Sequence, residues 1–136
     1  IGLAYRAWAR SYPQRYQLIF GTPIPGYEQQ QTKIIPSATR SISALVSVIE
    51  DFRVAGRLKS ENFPQMPPEY EAQLSAMNTC TSVYNSLSHG VALIVWSRVH
   101  GLVSLEIGGR LPPFGVDGDG LYHYELQSIA KQFIKE

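Results

Sequence analysis

The stretch VALIVWSRVHGLVSLEI, residues 91–107, predicts a helix that is apolar almost all the way round. Such a helix has to be buried inside a protein. It places Trp96 and His100 one turn apart and Gly101 near its middle. An interior glycine costs a helix about 1 kcal/mol relative to alanine, so we expect another helix to pack too close to Gly101 to admit a Cβ atom. Two glycines and two prolines in residues 108–113 end the helix.

The size and charge of the chain predict one domain without a nucleic-acid-binding surface. It has 136 residues, 44% of them hydrophobic, enough to bury a core without disulfides or metal. Twelve basic and eleven acidic residues leave a net charge of +1, too balanced for contact with phosphate backbones. The single cysteine is compatible with a reducing compartment, so we expect a cytoplasmic location. Residues 91–107 are short for a bilayer span and carry three polar, ionisable side chains, so no membrane contact is expected.

Apolar residues at spacings of three and four predict an all-α fold of about six helices. The predicted helices cover residues 3–12, 13–20, 37–56, 67–87, 91–107 and 119–133. The segment 21–36, rich in proline and glutamine, should form an irregular connection or lid. Ser37 and Asp119 are the expected N-caps of their helices, and His89 and Gly90 are expected to form a break.

The usual signatures of catalysis and metal binding are missing from the sequence. None of the three histidines lies three or four residues from another, which argues against a zinc site. Residues 117–120 resemble the start of a calcium loop, but the twelfth position is Ser128 instead of glutamate. There is no nucleophile elbow and no phosphate-binding loop. We therefore predict no catalytic residue, no metal and no cofactor. The alternative is a helical enzyme that uses His100 as an acid or base.

Aromatic residues are concentrated near the start of the chain and on the inward faces of the predicted helices. They fill a core, or they line an apolar ligand pocket in which a few polar groups orient the ligand. His100 has a structural role if a buried side chain forms hydrogen bonds with its imidazole. It orients a small molecule if the imidazole faces a cavity or water. The candidate ligand-binding residues are Trp8, Tyr12, Phe20, Ile49, Phe52, Met77, Tyr84, Trp96 and His100.

The last two helices suggest a twofold interface. The terminal helix has an apolar stripe with few remaining helices to cover it, so two helices from each of two chains would form a four-helix interface, with Gly101 permitting close approach. The candidate interface residues are Gly101, Leu102, Leu105, Leu121, Tyr122, Leu126, Ile129 and Phe133. The alternative is that this stripe packs inside its own domain.

Residues 96–106, WSRVHGLVSLE, resemble the Trp-His-Gly signature of the C-terminal domain in one branch of the TetR family of bacterial transcription regulators. Residues 4–9, 13–20 and 105–112 also resemble that domain, so the similarity spans nearly the whole chain. The resemblance implies that residues 1–136 form a ligand-binding and dimerisation domain, with its pocket among the first, third, fourth and fifth helices. It also implies a separate N-terminal helix-turn-helix head, absent from this chain, through which alone operator DNA would be bound.

The resulting hypothesis is a homodimeric regulatory domain that binds a small hydrophobic effector and thereby controls DNA binding by the head. Besides the enzyme, one other alternative remains: an assembly module without a ligand, in which the aromatic residues only fill the core.

Overall fold

The computed structural model describes residues 1–22, 25–26, 31–78, 84–111 and 118–135. For residues 31–39 and 77–78 it describes the backbone alone. Within these ranges the chain forms six α-helices and one short 3-10 helix, Ser60–Asn62. The α-helices are α1 (Gly2–Ser11), α2 (Pro13–Phe20), α3 (Gln31–Val54), α4 (Pro68–Asn78), α5 (Ser86–Ile107) and α6 (Asp119–Phe133). The predicted all-α fold is confirmed. The described extended pairing is a single antiparallel bridge between Leu58 and Ile134.

Local sequence explains where several helices begin and end. Pro13 stands in the first turn of α2, where its missing N–H leaves no hydrogen bond unmade. The Asn85 side chain caps α5 by accepting a hydrogen bond from the backbone N–H of Leu87 at 2.9 Å. Gly56 follows α3 with φ +67°, a left-handed conformation that favours glycine.

Helix α5 is the centre of the bundle. It packs most extensively against α3 and also contacts α1, α4 and α6. Two groups of buried side chains lie along it. The first contains Val46, Ile49, Leu58, Val91, Ala92, Val95 and Phe133. The second contains Ala9, Tyr16, Val99, Val103 and Tyr122.

Helix α5 is long and apolar enough to cross a bilayer by length and composition alone. Its two charged side chains, however, pair with other helices: Arg98 pairs with Glu125 of α6, and Glu106 binds Arg6 of α1. These contacts are those of a core helix in a packed bundle.

Four predicted boundaries are wrong. Helix α3 begins at Gln31, so the irregular segment ends before Pro36. Pro36 lies near the start of this helix and does not prevent a long helix from forming. Helix α4 ends at Asn78, and Leu87 belongs to α5. There is no break at His89 and Gly90, because α5 already begins at Ser86. Asp119 is the first residue of α6 and does not cap it through its side chain.

The environment of α5 also differs from prediction. A Cβ atom at Gly101 would meet nothing within 4 Å among the described residues, so none of the described helices packs against it there. One side of α5, including Ile94 and Leu105, remains exposed in the single chain. The expectation that the whole helix is buried is therefore wrong for one copy.

Candidate functional site

An aromatic cluster surrounds His100 where α1, α2 and α5 meet. Trp96 stacks on the imidazole with a centroid separation of 4.7 Å and an interplanar angle of 15°. Phe20 meets the same ring edge-on at 4.8 Å. Tyr5 and Tyr16 lie beside it with centroid separations of 6.3 and 5.9 Å. Trp8 completes the group by packing against both tyrosines. We call these six residues the His100 cluster.

Hydroxyl groups satisfy both nitrogens of His100. The Tyr5 hydroxyl lies 2.8 Å from Nδ1 and the Tyr16 hydroxyl 3.3 Å from it, while Ser104 Oγ lies 3.3 Å from Nε2. With the imidazole proton on Nε2, the Tyr5 hydroxyl can donate to Nδ1 and Nε2–H can donate to Ser104 Oγ. This geometry favours the structural interpretation of His100, because its partners are side chains of the same chain.

Burial sets the protonation states in the cluster. It lowers the pKa of His100 below its usual value, so the imidazole is neutral near pH 7. Burial also raises the pKa of Tyr5, helped by the neighbouring Tyr16, so its hydroxyl stays protonated and can donate to Nδ1. These neutral groups offer hydrogen bonds and apolar faces, and no described carboxylate lies against His100 to assist acid–base catalysis.

The lowered pKa of His100 predicts a loss of stability in mild acid. The unfolded chain binds this proton more readily than the folded chain, so stability present above pH 6.5 is lost as the pH falls below it. We expect the Tm of the chain to fall by a few degrees between about pH 7.5 and pH 5.5, and to fall less in His100→Gln. Calorimetry at both pH values checks this, and identical pH dependence in the two proteins would contradict it.

The outer edge of the His100 cluster is open. Trp96 is 38% exposed and Phe20 39% exposed, whereas Tyr16 beneath them is buried. A molecule resting on this edge would meet aromatic faces backed by hydroxyl groups on three helices. The cluster therefore has an apolar surface with convergent polar groups, as small-molecule sites have.

The structure divides the predicted ligand-binding residues into two groups. Trp8, Phe20, Trp96 and His100 come together in the His100 cluster. Ile49, Phe52 and Tyr84 instead belong to or pack against the first core group, on the other part of α5. The prediction placed all of these residues around one pocket, whereas the structure places them in two groups along α5. Tyr12 lies apart on the surface, with the Arg15 guanidinium 4.8 Å from its ring centroid. The Met77 side chain lies outside the described residues.

The predicted interface residues also separate into two sets. Tyr122 and Phe133 are only 2% and 8% exposed in a single chain, so the expectation that a partner must cover them is wrong. Leu126 and Ile129 pack against the same core groups. The inward stripe of α6 is thus covered by its own domain. The outward set consists of Gly101, which is partly exposed, with Leu105 and Leu121, which are 41% and 42% exposed. Leu102 lies between the two sets, because it is partly exposed and also packs against the second core group.

A buried ion-pair network, which the sequence analysis did not identify, joins α1 to the junction of α5 and α6. Arg6 is 5% exposed and donates two hydrogen bonds to Glu106, at 2.8 and 2.7 Å. Its remaining terminal nitrogen donates to Asp119 at 2.7 Å. Glu106 also accepts from the backbone N–H of Gly118 at 3.2 Å. Hydrogen bonding to Arg6 lowers the pKa of Glu106 and of Asp119, so both carboxylates remain charged.

Another carboxylate, that of Glu50, links α3 to the start of α5. Glu50 accepts two hydrogen bonds from Arg53 and one from the buried Ser88 hydroxyl. These contacts lower the pKa of Glu50 to about 2, with the Arg53 hydrogen bonds as the largest cause. The Glu50–Ser88 hydrogen bond joins α3 to α5, and neither residue belongs to the His100 cluster.

The chain matches the family described as Tetracyclin repressor-like, C-terminal domain, over residues 1–129. It is similar to the HTH-type transcriptional regulators Rv1816 of Mycobacterium tuberculosis and Mb1846 of Mycobacterium bovis. Each is 30% identical over 122 residues, which cover 86% of this chain and 49% of the relative. The chain thus spans about half the length of the curated relatives it matches. No solved structure gives a significant match.

Proposed function

The chain belongs to the family of tetracyclin repressor-like C-terminal domains, and we propose that it dimerises and binds a small hydrophobic effector. In this proposal it is the regulatory part of a transcription regulator, cytoplasmic and without catalytic activity. A helix-turn-helix domain outside residues 1–136 contacts operator DNA. The named function of the mycobacterial relatives supports this assignment.

The open edge of the His100 cluster is the observation that carries effector binding. Its members come from α1, α2 and α5, so a bound molecule would touch three helices at once. Trp8, Phe20, Trp96 and His100 are the proposed contact residues. A ligand can shift the bundle only if it binds one arrangement more tightly than another. A coupling of about 1 to 3 kcal/mol would change operator affinity by roughly 5- to 150-fold.

Dimerisation rests on the outward surface of α5 and α6. Gly101 faces open space among the described residues, Leu105 and Leu121 are exposed, and Leu102 next to the glycine is partly exposed. The proposed dimer interface is Gly101, Leu102, Leu105 and Leu121. A twofold axis through this surface would place α5 of one chain against α5 of the other.

A thermal-shift screen against uncharged hydrophobic metabolites tests effector binding. A ligand present at about 100 times its dissociation constant stabilises the folded state by about 2.7 kcal/mol, so we expect a Tm increase of roughly 5 to 10 °C. Trp96→Ala should abolish the increase, because it removes the ring stacked on His100. Tyr124→Ala is the control, since Tyr124 is an exposed aromatic residue on α6.

Two results would contradict effector binding at this cluster. One is the absence of a Tm increase with any compound, and the other is an increase that Trp96→Ala leaves unchanged. The first would favour an assembly module without ligand, an alternative supported by the internal hydrogen bonds of His100.

A further inference from the structure

Helix α1 contacts the His100 cluster and the junction of α5 and α6 with two adjacent side chains. The Tyr5 hydroxyl lies 2.8 Å from Nδ1 of His100. The next residue, Arg6, donates hydrogen bonds to Glu106 near the end of α5 and to Asp119 at the start of α6. Because a helix moves as a stiff unit over one turn, a displacement of α1 changes both contacts together.

The start of α1 is held against α6 by further contacts. The hydroxyl of the buried Tyr122 donates a hydrogen bond to the carbonyl oxygen of Gly2 at 2.6 Å. An added Cβ atom at Gly2 would lie 3.0 Å from Leu126 Cδ2, so the two helices are closely packed there. The Arg6 guanidinium lies 5.1 Å from the centroid of the Tyr122 ring. Hydrogen bonds, an ion pair and packing therefore join α1 to the N-terminal half of α6.

The residues held by α1 are neighbours of two leucines in the proposed dimer interface. Leu105 directly precedes Glu106, and Leu121 lies between Asp119 and Tyr122. Helix α1 is hydrogen-bonded to all three of these neighbours. Both leucines are exposed in the single chain. Their placement relative to each other therefore depends on how α1 is seated against α5 and α6.

We infer that α1 couples the His100 cluster to the α5–α6 junction through Arg6 and thereby sets how tightly two copies of the chain associate. This inference rests on the proposed effector site and dimer interface. An effector that displaces the Tyr5 hydroxyl from His100 would weaken the dimer. Coupling between two binding events is reciprocal, so dimerisation would weaken binding of that effector by the same factor. The effector would thus regulate self-association itself.

Sedimentation equilibrium measures this coupling in a double-mutant cycle that needs no effector. Tyr5→Phe removes the hydroxyl beside His100 and keeps the ring, and we expect it to raise the dimer dissociation constant about tenfold. In a chain that also carries Arg6→Met, the same change should raise the dissociation constant by about twofold or less. If Arg6 only stabilised the fold, the factor for Tyr5→Phe would be the same in both chains.

Two further variants support the cycle, and circular dichroism establishes that each variant is folded. Arg6→Lys is a milder change that keeps the charge, but an ammonium group cannot reproduce the planar fork that binds both carboxylates. It should also reduce the effect of Tyr5→Phe. Tyr70→Phe is the matched control, because it removes a hydroxyl from a partly exposed tyrosine on α4. It should leave the dissociation constant within about twofold of that of the unmodified chain.

Backbone hydrogen exchange in residues 122–125 of α6 measures the link within a single chain. The N–H of Tyr122 donates to the Gly118 carbonyl oxygen at 2.9 Å, so this turn reports opening at the start of α6. Tyr5→Phe should accelerate exchange there about threefold or more, and this acceleration should disappear in the Arg6→Met chain.

Equal factors for Tyr5→Phe with and without Arg6 would overturn the inference while leaving the dimer intact. A monomeric chain would contradict the proposed dimer, and the exchange rates would then decide separately on the coupling. Acceleration that depends on Arg6 would support the link from the His100 cluster to α6, and acceleration that does not depend on Arg6 would overturn it.

Discussion

Replacing Arg6 by methionine should lower the free energy of unfolding by about 3 kcal/mol. The substitution removes three charge-assisted hydrogen bonds and leaves Glu106, whose side chain is only 12% exposed, without its cationic partner. Breaking a buried ion pair from one side costs about 3 to 5 kcal/mol, mostly because the remaining charge stays buried. Asp119 contributes less, because it is more than half exposed.

Urea denaturation of the two variants Arg6→Met and Arg10→Met measures this effect. Arg10 lies one turn further along α1 and its side chain is exposed, so its replacement should change stability by about 0.5 kcal/mol or less. The double variant Arg6→Met with Glu106→Gln should recover part of the loss, since the orphaned charge is gone. Equal effects of the two arginine substitutions would show that the Arg6 network does not hold α1 in place.

Gly101→Glu should convert a dimer into a folded monomer. A Cβ atom at Gly101 meets no described atom of its own chain, so the glutamate is tolerated in the single copy. In the proposed interface it would place a charge against apolar side chains of the partner. An unpaired charge of this kind costs about 3 kcal/mol, which raises the dimer dissociation constant about a hundredfold.

Leu105→Glu should act in the same direction, one turn further along α5, and Val48→Glu on α3 is the control. Leu126→Glu and Ile129→Glu are less informative, although the apolar stripe of α6 first suggests them. Both side chains pack inside their own chain, so their replacement would damage the fold. Normal circular dichroism of Gly101→Glu together with unchanged dimerisation would place the interface elsewhere.

The helical fold could be predicted from sequence because its signals are local. Spacings of three and four predicted each of the six described α-helices but not the short 3-10 helix Ser60–Asn62, and Pro13 placed the start of α2 correctly. The sequence predicts the start of α3 at Ser37, because the proline- and glutamine-rich residues 21–36 favour a loop, whereas the helix begins at Gln31 and contains Pro36. The break expected at Gly90 was wrong for a similar reason: this glycine makes room for Met66 and does not end a helix.

The arrangement of side chains between helices was harder to predict. The Trp96–His100 pair was correctly placed on one face, but periodicity does not tell which neighbouring helix a face meets. The prediction therefore put Phe52 in one pocket with Trp96 and His100, whereas Phe52 packs against the first core group. Arg6 offered a usable signal, because it is an arginine on the inward side of α1, and Glu106 offered another at the end of an apolar helix. Recognising them as partners required the crossing of α1 and α5, which sequence spacing does not contain.

Sedimentation equilibrium of the unmodified chain at micromolar concentration tests most directly whether it is a dimerisation domain. The proposed interface predicts a species of twice the 15.2 kDa chain mass, which Gly101→Glu reduces to the mass of one chain. Stable dimers have dissociation constants below about 100 μM. The mass of one chain at every concentration up to about 100 μM would therefore contradict the proposed dimer.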